Sequence, residues 1–347
     1  MTSPTRLRYG ILGAANIARQ FTRGLAGSEH ATVAAVASRG IEKAQAFADE
    51  LAIPRALGNY EALLADPDID AIYIPLPNHL HHEWAIKCAQ AGKHVLCEKP
   101  LAMSRSETQE MFAAARAHNV HLAEAYPYMS QPQTLRVREL LAEGAIGQVQ
   151  LVTASFCFAI AAPDGTPFVD PANIRFDPKA GGGALYDAGT YAMSFTRIAT
   201  GAAPTRVVAT ARRMPSGVDL TLAATMEFAS GALAQITCSF AASAARFATI
   251  LGDQGTIETG YANHAMPGTD TLPIRIRRGT KATVPFETEN LPAGDGFKAE
   301  GESFALMVRQ GAAHWNGASE AESVDTMTAL EAIAESLKTG AWVDVRK

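Results

Sequence analysis

The chain has 347 residues, 48% of them hydrophobic and 19% charged, with a formal net charge of -5. That length exceeds one ordinary core and points to two domains, and the composition is that of a globular protein. The negative balance gives no electrostatic case for nucleic acid, which would want a basic face or stripe. No run reaches the roughly 18 apolar residues of a membrane span, and residues 1–8 lack the apolar core of a secretory signal. Cys88, Cys97, Cys157 and Cys238 have no metal-ligand spacing and read as reduced thiols, so a cytoplasmic protein is expected.

From residue 8 to about 125, short apolar runs alternate with amphipathic stretches. Strands are expected at 9–12, 32–37, 71–74, 94–97 and 122–125, with helices at 16–26, 41–51, 81–91 and 105–117. Ser104 and Glu107 have capping-box spacing at the start of the last helix. Alternating strands and helices imply right-handed βαβ units and a doubly wound, parallel, Rossmann-type sheet. After Tyr126 the pattern changes to long strand-like runs at 151–158, 206–211, 220–228 and 232–241, with a hairpin turn at 228–232. Helices fit 133–143, 185–200, 297–309 and 320–337. The expectation is an α/β protein: a nucleotide domain over 1–125, then an α/β domain over 126–347 with a mostly antiparallel open sheet.

The first strand runs into Gly13-Ala14-Ala15-Asn16-Ile17-Ala18. This matches the G-x-G-x-x-G/A turn except that Ala15 replaces the second glycine. Such a turn needs small residues so that backbone N–H groups can approach a pyrophosphate at the helix start. Gly13, Ala15, Asn16 and Ile17 are therefore candidate cofactor contacts. An acidic residue after the second strand would bind the ribose 2′-hydroxyl of NAD. Here Ser38 and Arg39 follow that strand, with Lys43 a turn later, and these groups suit the 2′-phosphate of NADP(H).

Three further stretches carry a resemblance: 71–81, then 92–101 with Glu98-Lys99-Pro100, and Gly181-Gly182-Gly183-Ala184-Leu185-Tyr186-Asp187-Ala188-Gly189-Thr190-Tyr191. With the glycine turn they make the chain similar, along essentially its whole length, to the Gfo/Idh/MocA oxidoreductases. Within that family it looks nearest the dihydrodiol dehydrogenase and NADP-dependent aldose dehydrogenase branch. The resemblance implies hydride transfer with a sugar, polyol or diol, a cis bond before Pro100, and a homodimer or homotetramer formed through the open sheet face. It also places Pro77, Asn78 and His81 beside the cofactor and Glu98 near the nicotinamide ribose.

The chemistry can be read separately. Lys99 follows a parallel strand, at the sheet edge where α/β ligands bind. Asp187 and Tyr191, four apart on an expected helix, would share one face. Tyr191 can take the hydroxyl proton if a nearby ammonium, Lys99, lowers its affinity for protons, and Asp187 can position the lysine or the substrate. The competing reading has Asp187 capping its helix and Tyr191 packed in the core. Tyr128 and Arg175 are candidates for the sugar pocket, with structural roles the alternative. Met129 and Gln131 depart from the family pattern, which often has Arg and His there. His79, His81 and His82 read as a helix start, and no metal is expected. Rival functions are a silent NADP-binding sensor or regulator of the same fold and a nucleotide-recycling sugar–sugar oxidoreductase.

Overall fold

The computed structural model describes residues 6–264 and 268–345. The first elements are β1 (Leu7–Leu12), α1 (Asn16–Gly24), β2 (Ala31–Ala37), α2 (Ile41–Leu51), β3 (Arg55–Leu57), α3 (Tyr60–Leu64), β4 (Ala71–Ile74), α4 (His81–Gln90), β5 (His94–Glu98), α5 (Arg105–Ala117) and β6 (Leu122–Ala125). Their strands form a parallel sheet in the order β3-β2-β1-β4-β5-β6. The order reverses between β1 and β4, which opens a crevice at the carboxyl ends of those strands.

Alternation along the strands sorts the apolar residues into two cores. Leu7, Tyr9, Ile11 and Tyr73 pack with Phe21 and Phe304 on one flank. Leu12, Ile72 and Ile74 pack with Leu63 and Trp84 on the other. With both faces covered, β4 is buried at all four positions, as a parallel strand must be.

The remaining elements are α6 (Pro132–Ala142), β7 (Val149–Cys157), α7 (Thr190–Thr200), β8 (Arg206–Arg213), β9 (Asp219–Glu227), β10 (Leu233–Ser239), β11 (Ala245–Gly252), β12 (Gly255–Thr259), β13 (Thr271–Arg278), β14 (Glu287–Pro292), α8 (Gly296–Gln310), α9 (Glu320–Thr339) and β15 (Val343–Asp344). The second sheet runs β14-β13-β12-β11-β7-β10-β9-β8-β15. Its described pairs are antiparallel except β7 with β10. The expected hairpin is present: Phe228 N–H bonds to the Ala232 carbonyl, and Gly231 adopts φ +87°. Helix α7 packs across β7, β10 and β11.

Two expectations need correcting. The compact units are not separated by one cut at 125/126. One unit comprises the described residues of Met1–Ala102, Ser106–Ser130 and Gly294–Glu320; the other comprises those of Met103–Arg105, Gln131–Ala293 and Ala321–Lys347. The physical reason is α8, whose Phe297, Phe304, Ala305 and Met307 complete the core around Tyr9 and Phe21. Tyr9 also donates its hydroxyl to the Gly301 carbonyl at 3.0 Å. The second correction concerns the expected helix at 185–200, which opens with a π-helical turn, Leu185–Gly189, before α7 begins. Here the chain presses against the sheet, since a Cβ on Gly189 would stand 3.1 Å from Cys238 Sγ.

Candidate functional site

In the first unit, the glycine turn has the conformation that its sequence demands. Gly13 sits at φ +116° and donates its N–H to the Ala37 carbonyl at 2.9 Å. A Cβ there would stand 3.0 Å from Leu76 Cδ2. Ala15 is the extended N-cap of α1; its side chain makes no cap, and the first turn holds no acidic residue. The first N–H groups of α1 are thus left for an anionic oxygen, beside an exposed Asn16 and a half-buried Ile17. This cradle fits a dinucleotide pyrophosphate.

Past β2, Ser38 is buried while Arg39 and Lys43 are exposed. Sequence reasoning missed Tyr60. Its hydroxyl would lie 3.7 Å from a Cβ on Gly13. Burial raises its proton affinity, and the nearby Arg39 charge opposes that rise. A guanidinium and a phenol therefore flank the turn where a 2′-phosphate would need donors.

At the end of β5, the Lys99–Pro100 bond is cis, as the resemblance implied. Glu98 is buried, accepts the Tyr73 hydroxyl at 2.5 Å and lies 3.3 Å from the Lys99 N–H. Glu124 accepts the Leu101 N–H at 2.9 Å and fixes the following backbone. Burial, reinforced by Glu98, pushes Glu300 on α8 well above the usual carboxylate range. Neither Glu124, Tyr73 nor Glu300 had a local signal in the sequence.

His81 was expected beside the cofactor. The structure buries it completely, with Nδ1 2.9 Å from the Pro100 carbonyl and Nε2 2.8 Å from the Leu76 carbonyl. Two carbonyl acceptors favour the imidazolium, but burial is the larger effect, and it lowers the pKa. The Lys99 charge pushes the same way. His81 is a strut between two loops, with both ring nitrogens committed to them. Pro77 and Asn78 are half-buried at the short 3-10 turn ahead of it. Tyr128 is also wholly buried, its ring 5.9 Å from that of Tyr126, so it does not line an open pocket.

In the second unit, Arg175 and Asp187 come together. Arg175 Nε donates to Asp187 Oδ2 at 2.6 Å, with side-chain exposures of 41% and 16%. The glycines between them in sequence allow close packing: a Cβ on Gly182 would meet the Arg175 carbonyl at 2.6 Å. Asp187 does not cap the helix. Asp219 takes that place, accepting the Leu185 N–H at 2.6 Å, and burial raises its pKa. Tyr191 is 6% exposed and meets Phe156 edge-on at 5.2 Å. The Arg246 guanidinium stands over the Tyr191 ring, 4.6 Å from its centre. Arg246 lies 55 residues downstream (246 − 191), on β11, and no sequence signal pointed to it.

Comparison with known proteins adds to this geometry. Residues 7–126 match the model of the oxidoreductase family with an NAD-binding Rossmann fold, and residues 134–258 match the GFO/IDH/MocA C-terminal domain. The chain is 39% identical over 341 residues to D-xylose 1-dehydrogenase (NADP(+)) 2 of Haloferax volcanii, covering 98% of this chain and 100% of that one. It is 39% identical over 256 residues to trans-1,2-dihydrobenzene-1,2-diol dehydrogenase of Danio rerio, covering 73% and 74% respectively. Among solved structures, KijD10, a 3-ketoreductase from Actinomadura kijaniata in complex with NADP and TDP-benzene, superposes with a TM-score of 0.82. The identity is 29%, covering 96% of this chain and 98% of that one.

Proposed function

Because the chain belongs to the Gfo/Idh/MocA family of oxidoreductases, we propose that it moves a hydride between NADP(H) and a CH–OH or C=O carbon of a sugar, polyol or diol. The observation that carries this reading is the 39% identity, over 98% of the chain, to D-xylose 1-dehydrogenase (NADP(+)) 2. In the oxidative direction an alcohol and NADP+ give a carbonyl compound, NADPH and a proton. When bound, NADP+ accepts the hydride.

The residues divide the remaining work. Gly13, Ala15, Asn16 and Ile17 hold the pyrophosphate at the start of α1. Ser38, Arg39 and Lys43 take the 2′-phosphate, while Pro77, Asn78 and Glu98 border the ribose and nicotinamide. Tyr191 receives the hydroxyl proton at its phenolic oxygen, and the Lys99 ammonium stabilises the phenolate that must exist first. Asp187, held by Arg175, orients the substrate hydroxyl. His81 serves from behind, as the strut that fixes the carbonyl of Pro100. Four free cysteines suit a reducing cytoplasm.

A homodimer or homotetramer through the open sheet face belongs to the same proposal. Leu233, Leu151 and Leu251 lie in register across β10, β7 and β11, with exposures of 46%, 36% and 36%. Phe247, 48% exposed, extends that row along β11. Exposed apolar patches of this kind mark interaction sites.

The test is NADPH absorbance with D-xylose, D-glucose, 1,5-anhydrofructose and a trans-dihydrodiol, for the parent and for Tyr191→Phe. Turnover should appear with at least one substrate and fall by about 10²–10⁴-fold in the variant, with NADP+ affinity retained. Silence across the panel would favour a sensor, and full turnover by the variant would end the proton-transfer role.

A further inference from the structure

Arg246 occupies a cage that the reaction so far does not use. Its guanidinium lies 4.6 Å from the ring centres of Phe156 and Tyr191 and 5.0 Å from that of Tyr261. Phe156 is its cross-strand partner, so the sheet register places the arginine there. Its Nη2 donates to Asn263 Oδ1 at 3.0 Å. Asn263 is fixed in turn, because buried Gln131 donates its Nε2 to the Asn263 carbonyl at 2.6 Å. Gln131 is one of the two positions where the chain departs from its family's usual pattern, and here it anchors the loop that anchors the arginine.

We propose that Arg246 is a positioning residue for Tyr191: it clamps the ring face and, by its charge, favours the deprotonated phenol that accepts the substrate's proton. This rests on the reading of Tyr191 as acid/base. A cation over an aromatic face is attracted by the ring quadrupole, and more strongly once the ring carries negative charge. Of the two tyrosines in the cage, Tyr261 is committed elsewhere. It is fully buried, donates its hydroxyl to the Ser155 carbonyl at 2.5 Å, and burial drives its pKa upward. The Arg246 charge opposes that rise in Tyr261, and the guanidinium stands nearer the Tyr191 ring, at 4.6 Å against 5.0 Å.

The other titratable or charged groups on elements packed against this helix are Tyr186 and Asp187 on the π-helical turn, the latter with its partner Arg175, Cys157 on β7, Cys238 on β10, and Arg136, Arg138 and Glu139 on α6. Arg138 is paired with Glu322 at 2.7 Å. Cys238 is buried and held in its thiol form. Asp187 is paired with Arg175, and the Arg246 guanidinium lies over the Tyr191 ring, a second cation beside the Lys99 role proposed above.

The experiment compares the parent with Arg246→Gln, Arg246→Lys and Tyr191→Phe, using D-xylose and NADP+ as probes. Two readouts are taken across pH: kcat/KM for oxidation, and the Tyr191 phenolate midpoint from near-ultraviolet difference titration against Tyr191→Phe. Arg246→Gln should raise both midpoints by about one unit and lower kcat/KM at neutral pH about tenfold, with NADP+ affinity within about twofold. Arg246→Lys should recover more than half of the shift. An unmoved phenolate midpoint in Arg246→Gln would overturn the proposal. Should Tyr191→Phe keep full turnover, the acid/base reading alone falls, and the titration still judges Arg246. If Arg246→Gln does not fold, Asn263→Ala frees Nη2 and should raise the midpoint by about half a unit; no rise there would also overturn it.

Discussion

Gly183→Ala should destabilise the second unit by about 4 kcal/mol, through two separable causes. Gly183 sits at φ +113°, where a residue with a Cβ is strained by about 2 kcal/mol. The added Cβ would also stand 2.3 Å from Asp219 Oδ1. Asp219 is 7% exposed and cannot swing into solvent, so relief means moving the carboxylate off the Leu185 N–H that it accepts at 2.6 Å. Leaving that buried donor unpaired costs about 1–3 kcal/mol. Gly201→Ala is the control: φ is +72°, and nothing lies within 4 Å of its Cβ position. It should cost only about 1 kcal/mol. Urea unfolding followed by circular dichroism measures both, and turnover should fall with Gly183→Ala because the turn carrying Asp187 is displaced. Equal losses from the two substitutions would refute the collision argument.

Arg39→Ala should weaken NADP+ by at least about tenfold while leaving NAD+ almost unchanged, from the loss of one charge-assisted contact; titration with each dinucleotide decides it. His94 is pulled down to about 4, first by burial and then by His121, whose backbone N–H donates to His94 Nδ1 at 2.9 Å. The unfolded imidazole takes a proton near pH 6.5, which the folded one refuses until about 4, so stability is lost as pH falls between those values. Allowing for partial exposure, about 1–2 kcal/mol should go between pH 7 and 5, and His94→Asn should flatten that slope in urea titrations. Leu151→Lys with Phe247→Asp should shift sedimentation toward the monomer, and an unchanged sedimentation coefficient would remove the open face as the interface.

Much of the first sheet was legible because buried parallel strands are continuous apolar runs, as at Ala71–Ile74. β3 and α3 escaped because they span only three and five residues, too short for a period to register. β14, Glu287–Pro292, is polar and largely exposed, and only its pairing with β13 makes it a strand. β13 does alternate, with Leu272, Ile274 and Ile276 buried, but Pro273 interrupts the pattern. The candidate site's backbone was legible where a motif fixes local geometry, as in the Gly13 turn and the cis bond after Lys99. Its supports were not: Glu300, Tyr60, Asp219 and Arg246 act through contacts that only folding creates. The same limit explains His81 and Tyr128, whose complete burial is a property of their neighbours.

The hydroxyl of Tyr9 reaches a carbonyl 292 residues further along the chain. On the ribosome, the strands and helices of the first sheet therefore emerge with the flank around Phe21 uncovered. That flank stays wet until Phe304 and the rest of α8 have been made, with most of the second sheet already outside. The nucleotide-binding half is the first to be translated and among the last to close, so a nascent chain stalled before α8 would present an apolar flank to chaperones instead of a finished dinucleotide cradle.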